Sequence, residues 1–232
     1  VTSFDTSNHF THNGGEVKNF KPEEFIPKNK LNLVSRASQL GLAATKLAIN
    51  DANLSSGEIS GSKTGICIGT TFGSIQVIEE IDERLIKNDI IDRDLMYQLS
   101  THTTPSIIAK ELNLNGCHFM FSTACAAGNY AIGYGYDLIR FNRTDIIIAG
   151  ASDPFSRIGY TGFNQFSAVA PEKCQPFDKN RKGMMVSEGA GIVVLESLES
   201  ALKRNANIYA EILGYGLSCD AYHMTTSSVE GI

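Results

Sequence analysis

The sequence predicts a layered α/β domain with a mainly parallel sheet, and three observations carry that prediction. Short apolar runs alternate with amphipathic stretches, the pattern of strand–helix–strand units. The composition is that of a globular protein: 42% of the 232 residues are hydrophobic and 19% charged, with 21 Gly and no Trp. That excludes disordered and collagen-like classes. No apolar run approaches the roughly 20 residues of a membrane helix, and the longest, Ile146-Ile147-Ile148-Ala149, has the length of a buried strand.

The first 30 residues are polar and loop-like, with Pro22 and Pro27. A helical period then runs from Leu31 to Asn53, with Leu33, Ala37, Leu40, Ala44, Leu47 and Ala48 on one face. Ser55-Ser56-Gly57-Glu58 reads as the turn that closes it, and Thr64 to Gly69 as a short buried strand ending in glycine. Ile75 to Ile86 is a helix with Ile78, Ile81 and Leu85 on one side and acids on the other. Thr104-Pro105 starts the next helix, because Pro suits a first helical position whose N–H has no partner anyway. That helix runs through Leu112 and stops at Asn115-Gly116. Cys117 to Phe121 is a strand, Ala126 to Arg140 a helix rich in small residues, and Asp145 to Gly150 a strand. Glu188 to Leu195 enters a further strand, Leu198 to Asn205 is a short helix, and Ile208 to Leu217 is a last strand.

Twenty Lys and Arg stand against 25 Asp and Glu, a net charge of −5, which argues against nucleic acid or an anionic membrane as the main partner. Cys67, Cys117, Cys125, Cys174 and Cys219 are odd in number and widely spaced, with no C-x-x-C. They read as reduced thiols of a cytoplasmic protein. The opening residues Val1 to Asp5 have neither a basic nor an apolar leader segment, so no secretory signal is expected. His9, His12, His102, His118 and His223 show no tight metal-ligand spacing, and no metal is expected.

The sharpest local feature is Phe119-Met120-Phe121-Ser122-Thr123-Ala124-Cys125-Ala126-Ala127-Gly128. A strand runs into a tight turn and a helix starts at or just after Cys125, the layout of a nucleophile elbow. A helix N-terminus there favours a thiolate, and its N–H groups can hold a developing oxyanion. The small residues around Cys125 let a thioester approach. From this context alone, a reactive thiol and a small, buried, inert one remain equally open.

Thr-Ala-Cys-Ala-Ala-Gly in this setting resembles the active-site segment of the β-ketoacyl-(acyl carrier protein) synthases. Other stretches are similar to that family in the same order: Phe4-Asp5-Thr6-Ser7, Arg36 to Ala44, Gly65 to Thr70, and Asp145 to Asp153 as its "A-G-[GA]-x-[ED]" strand. Pro176 to Gly183 with Ser187 to Gly191 resembles "P-F-D-x-x-R-x-G-x-x-x-x-E-G-A-G", and Asp220 to Thr225 nearly matches an elongating synthase of the second type. The resemblance implies a thiolase-like, layered αβαβα fold. Residues 1–205 would form most of its N-terminal half without the first strand, and 206–232 would begin the C-terminal half.

The activity implied is decarboxylative Claisen condensation in fatty acid or polyketide elongation, with Cys125 as nucleophile and its own N–H as half of the oxyanion hole. The family's two catalytic histidines, its lysine and its Asn-Ser-Phe-Gly-Phe-Gly-Gly loop have no counterpart here. The chain is therefore expected to be an internal fragment, inactive alone. For substrate binding the resemblance points to Thr104, Phe163, Met184, His223 and Thr225. Thr104 stands where fatty-acid enzymes have an apolar residue, and Met184 where they usually have Phe. Lys28, Lys30 and Arg36 are candidates for docking an acidic carrier protein, with Lys179, Arg181 and Lys182 a second cluster. No cofactor is expected beyond the phosphopantetheine that the carrier protein brings. The family also implies a homodimer, or a heterodimer with a related subunit, paired along Cys117 to Phe121. Two alternatives are a catalytically silent subunit of the chain-length-factor kind, which generally lacks the cysteine, and an amidotransferase-like Cys hydrolase. The second would need a later His beside the nucleophile and leaves the glycines at 183–191 unexplained.

Overall fold

The computed structural model describes residues 1–61, 63–223 and 228–231. In chain order the helices are α1 (Arg36–Asp51), α2 (Ser56–Gly61), α3 (Ile75–Lys87), α4 (Arg93–Tyr97), α5 (Thr103–Glu111), α6 (Ala127–Arg140), α7 (Arg157–Gln165) and α8 (Leu198–Lys203). The strands are β1 (Gly65–Gly69), β2 (His118–Phe121), β3 (Ile146–Asp153) and β4 (Gly189–Glu196). They form one sheet in the order β2-β1-β3-β4. β1 runs parallel to both neighbours, pairing Cys67 with Phe119 on one side and with Ala149 on the other. β4 runs antiparallel to β3, from Ile146 opposite Glu196 to Asp153 opposite Gly189.

Alternation along the strands divides the core into two layers. Ile66, Ile68, Ile146 and Ile148 face Leu42 and Ile49 of α1 and Ile108 of α5. Cys67, Ile147 and Ala149 face Ala131 of α6, with Leu138 and Ile139 at the margin. Ile66, Ile68, Ile147 and Ile148 are at most 1% exposed, and each such side chain contributes about 1.5–3 kcal/mol by burial. Burial, with Cys117 beside it, pushes the Cys67 thiol up to about 12. No helix among the described residues is long and apolar enough to cross a membrane.

The long first helix is shorter than its period suggests. Lys28–Leu33 is a 3-10 turn, and α1 begins only after Ser35, whose side chain accepts from the Ser38 N–H. The expected face shifts as well. Leu47 is 58% exposed, while Leu42, Thr45 and Ile49 are buried, because α1 is wedged between α5 and the sheet and hides more than one stripe. Ser55 to Glu58 is no simple turn: Ser55 Oγ accepts from the Glu58 N–H, and Glu58 accepts from the Ser55 N–H. That reciprocal capping box starts α2. Pro105 occupies the third position of α5, behind His102 as N-cap, and the helix ends at Glu111 before Asn113 turns left-handed at φ 53°.

Two helices had no strong periodic signal, α4 and α7. Each is announced by its cap: Asp92 accepts from the Leu95 N–H, and Ser156 from the Gly159 N–H. α3 buries Val77 and leaves Ile78 and Leu85 40% and 57% exposed. The expected strand at Ile208 to Leu217 is not formed. It has no ladder partner among the described residues and is held by side chains instead. The Tyr209 hydroxyl donates to Asp51 at 3.1 Å and that of Tyr215 to Asp137 at 2.5 Å, while the Tyr215 ring lies over Gly133.

Candidate functional site

β1, β2 and β3 are parallel, so their carboxyl ends, Gly69, Phe121 and Asp153, lie on one edge of the sheet, the usual place for a ligand in such folds. The elbow stands there. β2 ends at Phe121, Ser122 and Thr123 follow, and Ala124–Ala126 forms a 3-10 turn that leads into α6. Ala124 takes φ +52°, left-handed for a residue with a Cβ, at a cost of about 1–2 kcal/mol. This kink sits one residue before Cys125, whose side chain is exposed. Burial of this thiol is thereby set aside for this chain, while exposure alone, which Cys117, Cys174 and Cys219 share, assigns no reactivity.

Close packing seats the elbow. A Cβ on Gly69 would lie 2.3 Å from the carbonyl carbon of Ala127 and 2.6 Å from the Gly128 nitrogen, so only glycine lets the first turn of α6 rest on β1. Further along α6, a Cβ on Gly135 would meet Ile147 at 2.9 Å. The small residues are what bring this helix down onto the sheet. On the other flank, Asp153 accepts from the Thr70 hydroxyl at 2.7 Å and from the N–H groups of Thr71 and Phe72 at 2.8 and 2.7 Å. It fixes the loop after β1 beside the elbow, and the Thr70 N–H donates to Phe121 at 2.9 Å.

Glu188 has a comparable task. Its carboxylate is 6% exposed and accepts from Arg36 Nη2 at 2.7 Å and Nε at 3.1 Å, from the Val17 N–H at 3.0 Å and from the Phe155 N–H at 3.3 Å. Burial works to raise this carboxyl, but Arg36 and the N–H donors prevail and hold it below the usual range. One acid thus binds α1, the N-terminal loop and the chain after β3. The glycine signature also has a steric reason: Gly183 adopts φ +137°, and a Cβ there would lie 2.5 Å from the Ala168 oxygen.

The expected binding residues fall in different places. Phe163 packs at the margin of the Phe155, Tyr160, Val169 and Val186 cluster. Met184 adjoins it, donating its N–H to Ala168 at 2.9 Å while the Ala168 N–H donates to Phe163 at 3.0 Å. Thr104 lies apart, 5% exposed between α5 and α1, with its hydroxyl 2.8 Å from that of Ser38. His223 is exposed, and Thr225 lies outside the described residues. Among the docking candidates, Lys30 pairs with Glu111 and Arg36 with Glu188 and the Phe20 ring. Their charge is largely used inside the molecule, whereas Lys28, Lys179, Arg181 and Lys182 are exposed. His9, from the polar opening segment, bonds Thr161 at 2.9 Å and packs on Tyr160. The roles of Asp153 and Glu188 emerge only from the fold. The signal was present in the acidic position of each signature.

Residues 5–201 match the family described as the N-terminal domain of β-ketoacyl synthase. The chain is 33% identical over 239 residues to the 3-oxoacyl-[acyl-carrier-protein] synthase 2 of Staphylococcus aureus, aligning over all of this chain and 59% of that protein. The ishigamide ketosynthase/chain length factor superposes with a TM-score of 0.92 at 39% identity, over 100% of this chain and 59% of that one. A type II polyketide synthase ketosynthase, solved with its acyl-carrier protein and bound to the hexaketide, gives a TM-score of 0.75 at 31% identity, over 90% and 52%. The architecture is the thiolase-like one of these ketosynthases, and the chain spans about 59% of the length of the curated relative.

Proposed function

Since the chain belongs to the β-ketoacyl synthase family, we propose that its parent protein elongates acyl chains held on a carrier protein, with Cys125 as the acyl acceptor. One observation carries this reading: an exposed cysteine on a left-handed kink at the carboxyl edge of the parallel strands. Cys125 Sγ attacks the carbonyl of an acyl-pantetheine thioester. The pantetheine thiol leaves with the proton, and the acyl group stays on sulfur. A malonyl thioester then loses CO₂, its carbanion forms the new C–C bond at the acyl carbon, and the Cys125 thiolate leaves. The backbone N–H of Cys125 supplies half of the oxyanion hole. Pantetheine arrives on the carrier protein, and the enzyme needs no cofactor of its own.

Phe163 and Met184 line the acyl path in this reading, and His223 and Thr225 serve pantetheine binding; Thr104, buried against Ser38 between α5 and α1, would act on that path only from the far side. Lys28, rather than the internally paired Lys30 and Arg36, is the first docking cation to test. Assembly is a homodimer, or a heterodimer like the ketosynthase/chain length factor neighbour, through the β2 edge, in the cytoplasm. The silent-subunit alternative is disfavoured by the exposed Cys125.

Mass spectrometry of the parent protein after incubation with acyl-carrier protein tests this. The expected result is a single acyl group on Cys125 and, with malonyl-carrier protein, a product two carbons longer. An unmodified Cys125 overturns the reading in favour of the silent subunit. The 232-residue chain alone is expected to perform no condensation, and measured extension by it would overturn that part.

A further inference from the structure

Two acids of α3 grip the start of another helix. Gln76, Glu79 and Glu83 stand at i, i+3 and i+7, on one face of α3. Gln76 Nε2 donates to the Phe155 carbonyl oxygen at 2.8 Å. Glu79 Oε1 accepts from the Ser156 hydroxyl and from the Ile158 N–H, both at 2.9 Å. Glu83 pairs with Arg157 at 2.6 Å. Ser156 is fully buried, and its Oγ in turn accepts from the Gly159 N–H at 2.9 Å. Two of the first N–H groups of α7, which no helix can satisfy from within, thus end on Ser156 and on a carboxylate from another element. The positive end of α7 favours that charge.

The later turns of α7 are held elsewhere. The Tyr160 hydroxyl donates to the Thr11 carbonyl oxygen at 2.7 Å, and Asn164 Oδ1 accepts from the Thr11 N–H at 3.3 Å. Two anchors therefore set the tilt of this helix: α3 at its start and the N-terminal loop beyond. Without the first, α7 can pivot on the second. Phe163 rides on α7, five residues after Ile158 and about 7.5 Å further along the axis. Resting on the reading of Phe163 as a lining residue of the acyl path, we propose that Glu79 is a positioning residue for acyl selection. Its carboxylate fixes the tilt of α7 and thereby how far Phe163 narrows the path. Glu79 touches no substrate in this role, and its bonds lie within the chain, so the role needs no open surface.

The test offers the parent protein an equimolar mixture of hexanoyl- and dodecanoyl-carrier protein and reads the two acyl groups on Cys125 by mass spectrometry. Glu79→Ala should shift their ratio at least about threefold toward the longer group, because an untethered Phe163 yields to it. Glu79→Gln keeps an oxygen acceptor for Ser156 and Ile158 and should restore most of the wild-type ratio. Glu80→Ala, one position on and paired with Arg84, should leave it unchanged. Iodoacetamide should alkylate Cys125 at the wild-type rate in all three variants, which separates positioning from damage to the elbow. An unchanged ratio, an equal slowing with both groups or loss of the fold in Glu79→Ala reduces Glu79 to a structural tie and overturns the proposal. A wild-type protein that takes up neither group overturns the reading of Cys125 as acyl acceptor, and this inference with it.

Discussion

The elbow around Cys125 and the clamp around Glu188 are built on opposite principles. The elbow exposes the Cys125 thiol and stores backbone strain at Ala124. The clamp buries its charge and gives it four donors. One site is costly to the fold; the other ties three segments of the fold together. The difference teaches that a signature residue cannot be assigned a role by its prominence alone. Glu188 stands in a motif as conspicuous as that of Cys125, yet its geometry is that of a structural tie.

Substitution separates the two most sharply at their centres. Cys125→Ala should abolish the acyl-enzyme in the parent protein altogether, while shifting stability by less than about 0.5 kcal/mol, as read by mass spectrometry and urea melts. Glu188→Ala should do the reverse in kind, costing about 3–5 kcal/mol in urea unfolding because Arg36 is left partly buried without its acid. If Glu188→Ala proved neutral, the contrast would fail.

Between these lies Gly69→Ala, expected to cost about 1–3 kcal/mol, since the new methyl meets backbone that cannot rotate away. It should also slow alkylation of Cys125 by moving the first turn of α6. Acid offers a fourth probe. The Glu188 carboxyl is held below its usual range, and that of Glu16 falls to about 2 through bonds from Ser3 and Thr2 that outweigh its desolvation. Both groups are depressed when folded. Their stabilisation is therefore present above the unfolded value of about 4.3 and is lost as pH falls through the folded values. Glu16→Gln with Glu188→Gln should flatten the acid limb of the stability curve between about pH 4 and 2. The smallest effect is expected at Gly162→Ala in α7, where nothing lies within 4 Å of the added carbon. There the helix should gain up to about 1 kcal/mol in thermal melts.

The strands and the elbow were legible because their signals are local: apolar runs ending at glycine, and a cysteine among small residues. The early end of α1 was not, because Ser35 as cap overrides an apolar period that runs on past it in both directions. The stretch 208–217 alternates as a strand does, but pairing is a property of two segments, and no period in one can reveal a missing neighbour. Lys30 and Arg36 looked like free cations for the same reason, since their acids lie 81 and 152 positions away.

Cys67 has a practical consequence. Walled in at 0% exposure and with its thiol at about 12, it keeps only about one part in ten thousand as sulfur anion at pH 8. A maleimide count on the intact chain should therefore stop at four, and the appearance of a fifth adduct would time the opening of the sheet itself.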